Sequence, residues 1–347
     1  MSNRPVRLPT PARVGIVGAT GAVGMELLTC LEQRDFPLQQ LRLFASERSA
    51  DRRLHFRGDT LPVEVLREDS LAALDLVLCS AGSQVAARFA PWAAERGAIA
   101  IDNSSAFRTQ PEVPLVVPEV NAETLAAHTG IIANPNCVAI IASLALRPLQ
   151  RAAGLRRLSM ATYQAASGGG AAAMQELLAA TRAALAGESF PPRVLPHPYA
   201  FNLFSHNSAL DADSGLNEEE TKVTRELRRL LSSPVLPIGV TCIRVPVLRA
   251  HAMALTVELE RALSVSEARR LMAEAAGLRL VDDRERNLFP MPLAATGIDE
   301  VLVGRIRTDG SDPSGHTIAL FVAGDQLRKG AALNAVQIAE QLAVRRL

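Results

Sequence analysis

The stretch VGIVGATGAVGMELL, residues 14–28, passes from a short apolar run through spaced glycines into a helical pattern. Gly18 suits the tight turn that ends a strand. Gly21 lets a pyrophosphate come against the backbone, and Gly24 lets the helix pack closely on the strand. A phosphate there would meet the positive end of the helix and its free N–H groups. A tight structural turn is the plainer reading. The strand–turn–helix setting favours a dinucleotide site, with Gly18, Thr20, Gly21, Ala22 and Val23 around it.

Outward from this motif, residues 14–17, 41–45, 74–79 and 98–102 read as strands, and 25–33 and 84–96 as helices. That alternation predicts a parallel sheet flanked by helices, with ligands beyond the carboxyl ends of the strands. Those ends carry Gly18, Ser46, Ser80 and Asn103. In the second half, 158–163, 241–247, 254–259, 301–308 and 317–323 read as strands, with 241–247 and 254–259 paired. Helices are expected over 171–186, 218–231, 264–275 and 330–347, and clustered strands with fewer helices predict a mixed sheet.

The chain has 347 residues, which suits two domains, and is 48% hydrophobic and 21% charged, enough for a large core and too apolar for disorder. Its net charge of +1 argues against bulk attraction to nucleic acid or anionic membrane. No apolar run approaches a membrane span. Residues 1–13 lack the apolar core of a signal peptide and read as a short leader. Cys30, Cys79, Cys137 and Cys242 are widely spaced, with no CxxC pair for zinc and no disulfide framework, so a reducing cytoplasm is the simplest compartment.

At the end of the second strand, an NAD site would usually carry an acid for the ribose. Glu47 is there, but Ser46, Arg48 and Ser49 surround it with phosphate-compatible groups, favouring NADP over a solvated loop charge. In DNSSAFR, residues 102–108, Asn103 and Ser104 offer donors to a cofactor, and Arg108 is either a fork for phosphate or carboxylate or a surface arginine. Cys137 precedes the apolar run 138–146, which predicts a buried helix with the cysteine in its first turn. There the dipole and free N–H groups favour a thiolate and lower its pKa, and the same groups suit an oxyanion. Cys30, Cys79 and Cys242 sit inside apolar elements, as inert packing. Among the histidines, His251 follows a strand and is mildly preferred as a proton-transfer partner; His55, His128, His197, His206 and His316 read as surface groups. TYQAASGGG, 162–170, ends a strand in a Gly-rich turn, either a hinge or a loop whose Ser167 and Gly168 approach a cofactor. Glu219 and Lys222 share a helix face and read locally as a surface ion pair.

Taken in order, GIVGATGAVG, SAGSQ, DNSSAFR, VPEVN, NPNC, TYQAASGGG, EEETK, RVPV followed by His251, and LRKGAALNAVQIAE resemble the aspartate-semialdehyde dehydrogenase family along nearly the whole chain. The resemblance implies an α/β fold. A Rossmann-like NADP-binding domain would span 1–136 and 328–347, and an α+β catalytic and dimerisation domain with a mixed sheet 137–327. It implies NADPH-dependent reductive dephosphorylation of 4-phospho-L-aspartate to the semialdehyde through a cysteine thioester. That reaction belongs to the biosynthesis of lysine, diaminopimelate, threonine and methionine. By motif, Cys137 would be the nucleophile, His251 the general acid/base, and Gln164 the group orienting the acyl carbon. Arg244 would take the substrate carboxylate and Glu219 its amino group, so the surface-pair reading of Glu219 gives way. Arg108 and Lys222 would hold phosphate, Asn136 would line the substrate, and Ser80, Ser167, Gly168 and Gln326 the cofactor. A cytoplasmic homodimer is implied, with the terminal helix returning to the first domain.

Three places depart from the family pattern. Val138 and Ala139 replace small hydroxyl residues, His251 stands in AHAM, and Gln326 stands for the asparagine of DNLRKG. These changes predict lost hydrogen bonds around Cys137 and His251. Two rival readings are an N-acetyl-glutamyl-phosphate reductase and a non-catalytic partner subunit that keeps the fold.

Overall fold

The computed structural model describes residues 8–344; the first seven residues of the expected leader and the last three of the terminal helix lie outside them. The chain divides into two compact units, one running to Asn136 and resuming at Ala331, the other spanning Cys137–Gly330.

The first unit is built from β1 (Ala12–Val17), α1 (Ala22–Gln33), β2 (Leu38–Ala45), β3 (Arg53–Phe56), β4 (Asp59–Val65), β5 (Leu76–Cys79), α2 (Ser83–Glu95), β6 (Ile99–Asp102), α3 (Pro118–Asn121) and β7 (Ile131–Ala133). Its sheet has the order β3-β4-β2-β1-β5-β6-β7, parallel except for the β3–β4 hairpin. β5 and β6 are buried along their whole length, as helix-covered central strands are. The strand order reverses at β1, between β2 and β5, and a ligand crevice lies beyond the strand ends at such a switch point.

The second unit comprises α4 (Cys137–Ala153), β8 (Leu155–Gln164), α5 (Gly170–Leu185), β9 (Phe204–Ser205), α6 (Glu218–Leu230), β10 (Ile238–Arg244), β11 (His251–Leu259), α7 (Val265–Glu274), β12 (Leu278–Leu280), α8 (Pro292–Ala295), β13 (Val301–Thr308) and β14 (Thr317–Gly324). Its mixed sheet has the order β12-β13-β14-β11-β8-β10-β9. β10 and β11 are not partners. β10 runs parallel to β8 on one side and β11 antiparallel to it on the other. The expected strand over 241–247 stops at Arg244, and the segment from Val245 to Ala250 passes beyond the end of β8 instead of turning back as a hairpin. It is held there by Ala166 N–H to the Val247 carbonyl, 2.8 Å, and Ser167 N–H to the Leu248 carbonyl, 3.0 Å. The end of β8, the end of β10 and the start of β11 therefore meet at one edge of the sheet.

The chain then returns through a π-helical turn at Arg328–Ala332 to α9 (Leu333–Val344). Ala335, Val336, Ile338, Ala339 and Leu342 join the first unit's core with Ile16, Leu27, Leu31 and Leu43.

Candidate active site

In the first unit, the glycine motif has the geometry a phosphate requires. Gly18 has φ of +86°, and a Cβ there would meet the Ser80 backbone at 2.9 Å. A Cβ on Gly24 would lie 2.2 Å from the Gly18 carbonyl oxygen, so helix and turn pack without room for a methyl group. α1 starts at Ala22, three residues earlier than expected, so Ala22, Val23 and Gly24 form its first turn. A cavity of about 630 Å³ is lined by Gly18, Thr20, Gly21, Ser46, Glu47, Arg48, Ser49 and Ser80. These residues fit a dinucleotide: a side-chain-free approach, helix N–H groups, and hydroxyls and a guanidinium at the far end.

The side chains of the DNSSAFR turn make bonds within the first unit. Ser104 gives its hydroxyl proton to Asp102 at 2.7 Å, and Asn103 donates to the Cys79 carbonyl at 3.0 Å. Burial pushes the Asp102 carboxyl up against the pull of the Ser104 bonds and the Arg108 charge. Arg108 donates to the carbonyls of Asn103, 2.8 Å, and Asn134, 2.9 Å. The turn thus ties the ends of β5, β6 and β7 together.

In the second unit, Cys137 is the first residue of α4 and is half-buried, whereas Cys30, Cys79 and Cys242 are fully buried. Burial pushes the Cys79 thiol far up and the Cys242 thiol up to about 12. Val138 and Ala139 face the core with no exposure. Gly330 lies against the cysteine: a Cβ there would stand 3.0 Å from the Cys137 Cβ. Asn136, the preceding residue, is buried.

At the edge where β8, β10 and β11 meet, Arg244 stands opposite Gln164 in the register. His251 opens β11 and is fully buried. Its Nδ1 accepts the Ala165 backbone N–H at 3.0 Å. Burial, then the charge of Arg244 and the presence of His206, hold its pKa well below the ordinary histidine value. Arg244 is also buried, and its bonds go to the Ala165 carbonyl, 3.3 Å, the Asn207 side-chain oxygen, 3.2 Å, and His206 Nε2, 2.8 Å. These acceptors are uncharged, so among the described residues no bonded carboxylate cancels the guanidinium. Gly168 keeps the space open: a Cβ there would come within 2.9 Å of Arg244 Nη1 and 3.1 Å of His251 Nε2.

Gln164 accepts from Thr162 at 3.2 Å and donates to Glu219 at 3.1 Å. Glu219 is buried in the first turn of α6, which a capping box fixes through Asn217 and Glu220. Glu220 also accepts the Cys242 N–H at 3.0 Å and so anchors the helix to β10. Lys222 pairs with Glu218 at 2.7 Å. Gln326 retains the bonding expected to be lost: it accepts the Ala250 N–H at 2.9 Å and donates to the Ser167 hydroxyl.

His206 and His128 do not behave as the surface groups their sequence neighbours suggested. His128 is buried, and His206 is half-buried against Arg244. The sequence signal for His206 was weak: turn-forming neighbours hide a residue that the short β9–β10 pairing turns inward.

Residues 13–128 match the family model described as "Semialdehyde dehydrogenase, NAD binding domain", and residues 146–329 match "Semialdehyde dehydrogenase, dimerisation domain". The chain is 50% identical to the aspartate-semialdehyde dehydrogenase of Synechocystis sp., over 97% of this chain and 99% of that protein. It is 42% identical to that of Bacillus subtilis, over 95% and 96%. Among solved structures, aspartate semialdehyde dehydrogenase II of Vibrio cholerae, complexed with ASA, superposes with a TM-score of 0.93 at 38% identity, covering 98% of this chain and all of that one. On these similarities and the geometry above, the chain belongs to the aspartate-semialdehyde dehydrogenase family.

Proposed function

We propose that this chain converts 4-phospho-L-aspartate, NADPH and a proton into L-aspartate 4-semialdehyde, NADP and phosphate, through a thioester on Cys137. The observation that carries this reading is the pairing at the edge of the second sheet. A buried arginine bonded only to neutral acceptors suits a carboxylate, and the buried Glu219 suits an ammonium. Together they describe an α-amino acid with a free amine. An N-acetylated substrate would present Glu219 with a neutral amide in place of an ammonium, which favours the aspartyl over the N-acetyl-glutamyl reaction.

The Cys137 thiolate, favoured by the start of α4, attacks the acyl carbon as the bond to the phosphate oxygen breaks. Arg108 and Lys222 are the cations assigned to the departing phosphate. Gln164, fixed between Thr162 and Glu219, orients the acyl group, and Asn136 lines it. A nicotinamide cofactor, when bound, supplies the hydride that takes the thioester to the aldehyde level. His251 holds a proton at Nε2 for the oxygen that gains negative charge. For the cofactor we assign Gly18, Thr20, Gly21, Ala22, Val23, Ser46, Arg48, Ser49 and Ser80. Arg48 between two serines supports NADP as the form used.

The open face of β8, β10 and β11 supports a homodimer. Ser159, Ala161, Thr241, Ala254 and Thr256 line a cavity of about 810 Å³ on that face. A nucleophilic thiol persists in a reducing compartment, so the cytoplasm is assigned.

The test is phosphate-dependent NADPH formation from aspartate semialdehyde, run beside N-acetyl-glutamate semialdehyde and beside NAD. Activity with the first aldehyde and not the second supports the reading; inactivity with both would reject it and leave the partner-subunit alternative.

A further inference from the structure

The guanidinium of Arg244 is held by His206, a histidine whose turn-forming neighbours read as surface. We propose that His206 is a positioning residue: it fixes the orientation of Arg244 and, through Ser208, sets the spacing between Arg244 and Glu219. This rests on the reading of those two side chains as the carboxylate and ammonium ligands.

The hydrogen-bond chain runs from one end of that site to the other. Arg244 Nη2 lies 2.8 Å from His206 Nε2. A guanidinium has only donors, so Nε2 is the acceptor and the ring proton sits on Nδ1. Nδ1 then donates to the Ser208 hydroxyl oxygen at 3.1 Å. The Ser208 N–H also approaches Nδ1 at 3.3 Å, but a ring accepting at both nitrogens would have to be an imidazolate, and the shorter guanidinium bond claims Nε2. The same hydroxyl oxygen accepts the Glu219 N–H at 3.1 Å, and its proton points toward the Asn217 side-chain oxygen at 3.4 Å. Asn217 caps α6 and thereby fixes Glu219. Arg244, His206, Ser208 and the first turn of α6 thus form one bonded sequence within the second unit.

The ring must stay neutral to accept from a cation. Burial, followed by the charge of Arg244, brings its pKa down to about 4; Lys222 pushes the same way, and Glu219 and Glu218 oppose. Phe204 and Ser205 pair with Arg244 and Ile243, so β9 delivers the ring to its place on Arg244 by backbone register. Asn207 adds a second oriented acceptor at Arg244 Nε, 3.2 Å. Two acceptors on separate nitrogens fix both the position and the plane of the fork.

The test compares His206→Leu, His206→Asn and His206→Gln in the full-length enzyme. Glutamine places an acceptor near the Nε2 position; asparagine does not. His206→Leu and His206→Asn are expected to raise KM for aspartate semialdehyde about 10- to 100-fold, the scale of one bond to a charged group, with KM for NADP unchanged. His206→Gln is expected to recover most of that loss. In an Arg244→Gln background, His206→Leu is expected to add little, because the two act as one unit. Binding of aspartate semialdehyde to Cys137→Ala, with and without His206→Leu, gives the same comparison without turnover. Equal effects of His206→Leu in both Arg244 backgrounds, no rescue by glutamine, or an unchanged KM and affinity would overturn the proposal. If the unmodified enzyme neither turns over nor binds aspartate semialdehyde, the underlying assignment of the substrate falls instead.

Discussion

The Ala165 backbone N–H donates to Nδ1 of His251 at 3.0 Å, and that bond decides which ring nitrogen carries the proton. A flipped ring would set a C–H against the amide and leave the amide without an acceptor. With Nδ1 accepting, the neutral ring is protonated at Nε2. That atom has no hydrogen-bond partner among the described residues and is fully buried. An imidazolium would turn a second N–H against the Ala165 amide, beside a guanidinium. The ring is therefore built to donate a hydrogen bond while remaining neutral, as suits a group facing a developing oxyanion.

In 15N-labelled protein, His251 is expected to show one protonated nitrogen, Nε2, and one bare nitrogen, Nδ1, unchanged between pH 8 and pH 6. His251→Asn is expected to lower kcat by roughly 10²–10³-fold, the scale of losing one oxyanion donor. A doubly protonated ring at pH 7, or kcat within twofold of the unmodified enzyme, would contradict the assignment.

Cys137 is the one half-buried cysteine among four, and the other three thiols have no exposure to speak of. A limiting alkylating agent at pH 7 is expected to modify Cys137 alone, one group per chain, with loss of all turnover. Cys137→Ala is expected to remove activity while retaining NADPH affinity and the melting temperature. Mass spectrometry of the labelled peptides checks the first expectation, and fluorescence titration with NADPH the second. Label on Cys30, Cys79 or Cys242 in folded protein, or turnover by Cys137→Ala, would remove it as the nucleophile.

Gln326 carries the Ala250 N–H and the Ser167 hydroxyl, so it braces the residue before His251 and the loop after β8 at once. Ala250 has φ of +72°, a left-handed conformation that costs a non-glycine residue of order 1 kcal/mol and persists because its neighbours fix it. Gln326→Leu strands a buried amide and is expected to cost about 1–3 kcal/mol of stability, read from chemical denaturation. kcat is expected to fall with it, because the Ala250 turn aims His251. Unchanged stability and kcat would show that the bracing is immaterial.

Much of this was legible in the chain because its signals are local. The spaced glycines after β1, the apolar run after Cys137 and the charged run over 218–231 each act within a few residues, and each forms an element near its expected place. What escaped depends on long-range pairing. That β8 lies between β10 and β11 is a matter of sheet order, which the apolar pattern of 241–259 does not contain. His206 looked exposed because burial comes from β9 against β10 and from Arg244, 38 residues away. Ser104 looked available to a ligand because nothing local says that Asp102 claims its proton. Gln326 looked like a loss because its partners, Ala250 and Ser167, are 76 and 159 residues distant.

The two histidines also set how the protein responds to acid. Both are held below the ordinary histidine value, His206 to about 4, by burial first and by the Arg244 charge second. In the unfolded chain they take up protons near pH 6.5, while the folded protein resists. Between these limits the unfolded state binds more protons, so stability rises with pH across the window and is lost as pH falls from about 6.5 toward 4. For His206 alone the loss is on the order of 2–3 kcal/mol across that whole range. The urea midpoint of the unmodified protein is expected to fall between pH 7 and pH 5, before most carboxylates titrate. His206→Gln, which removes one of the two titrating rings and keeps the acceptor for Arg244, is expected to show a shallower fall. Identical slopes for the two proteins over that interval would show that His206 does not contribute to the acid response.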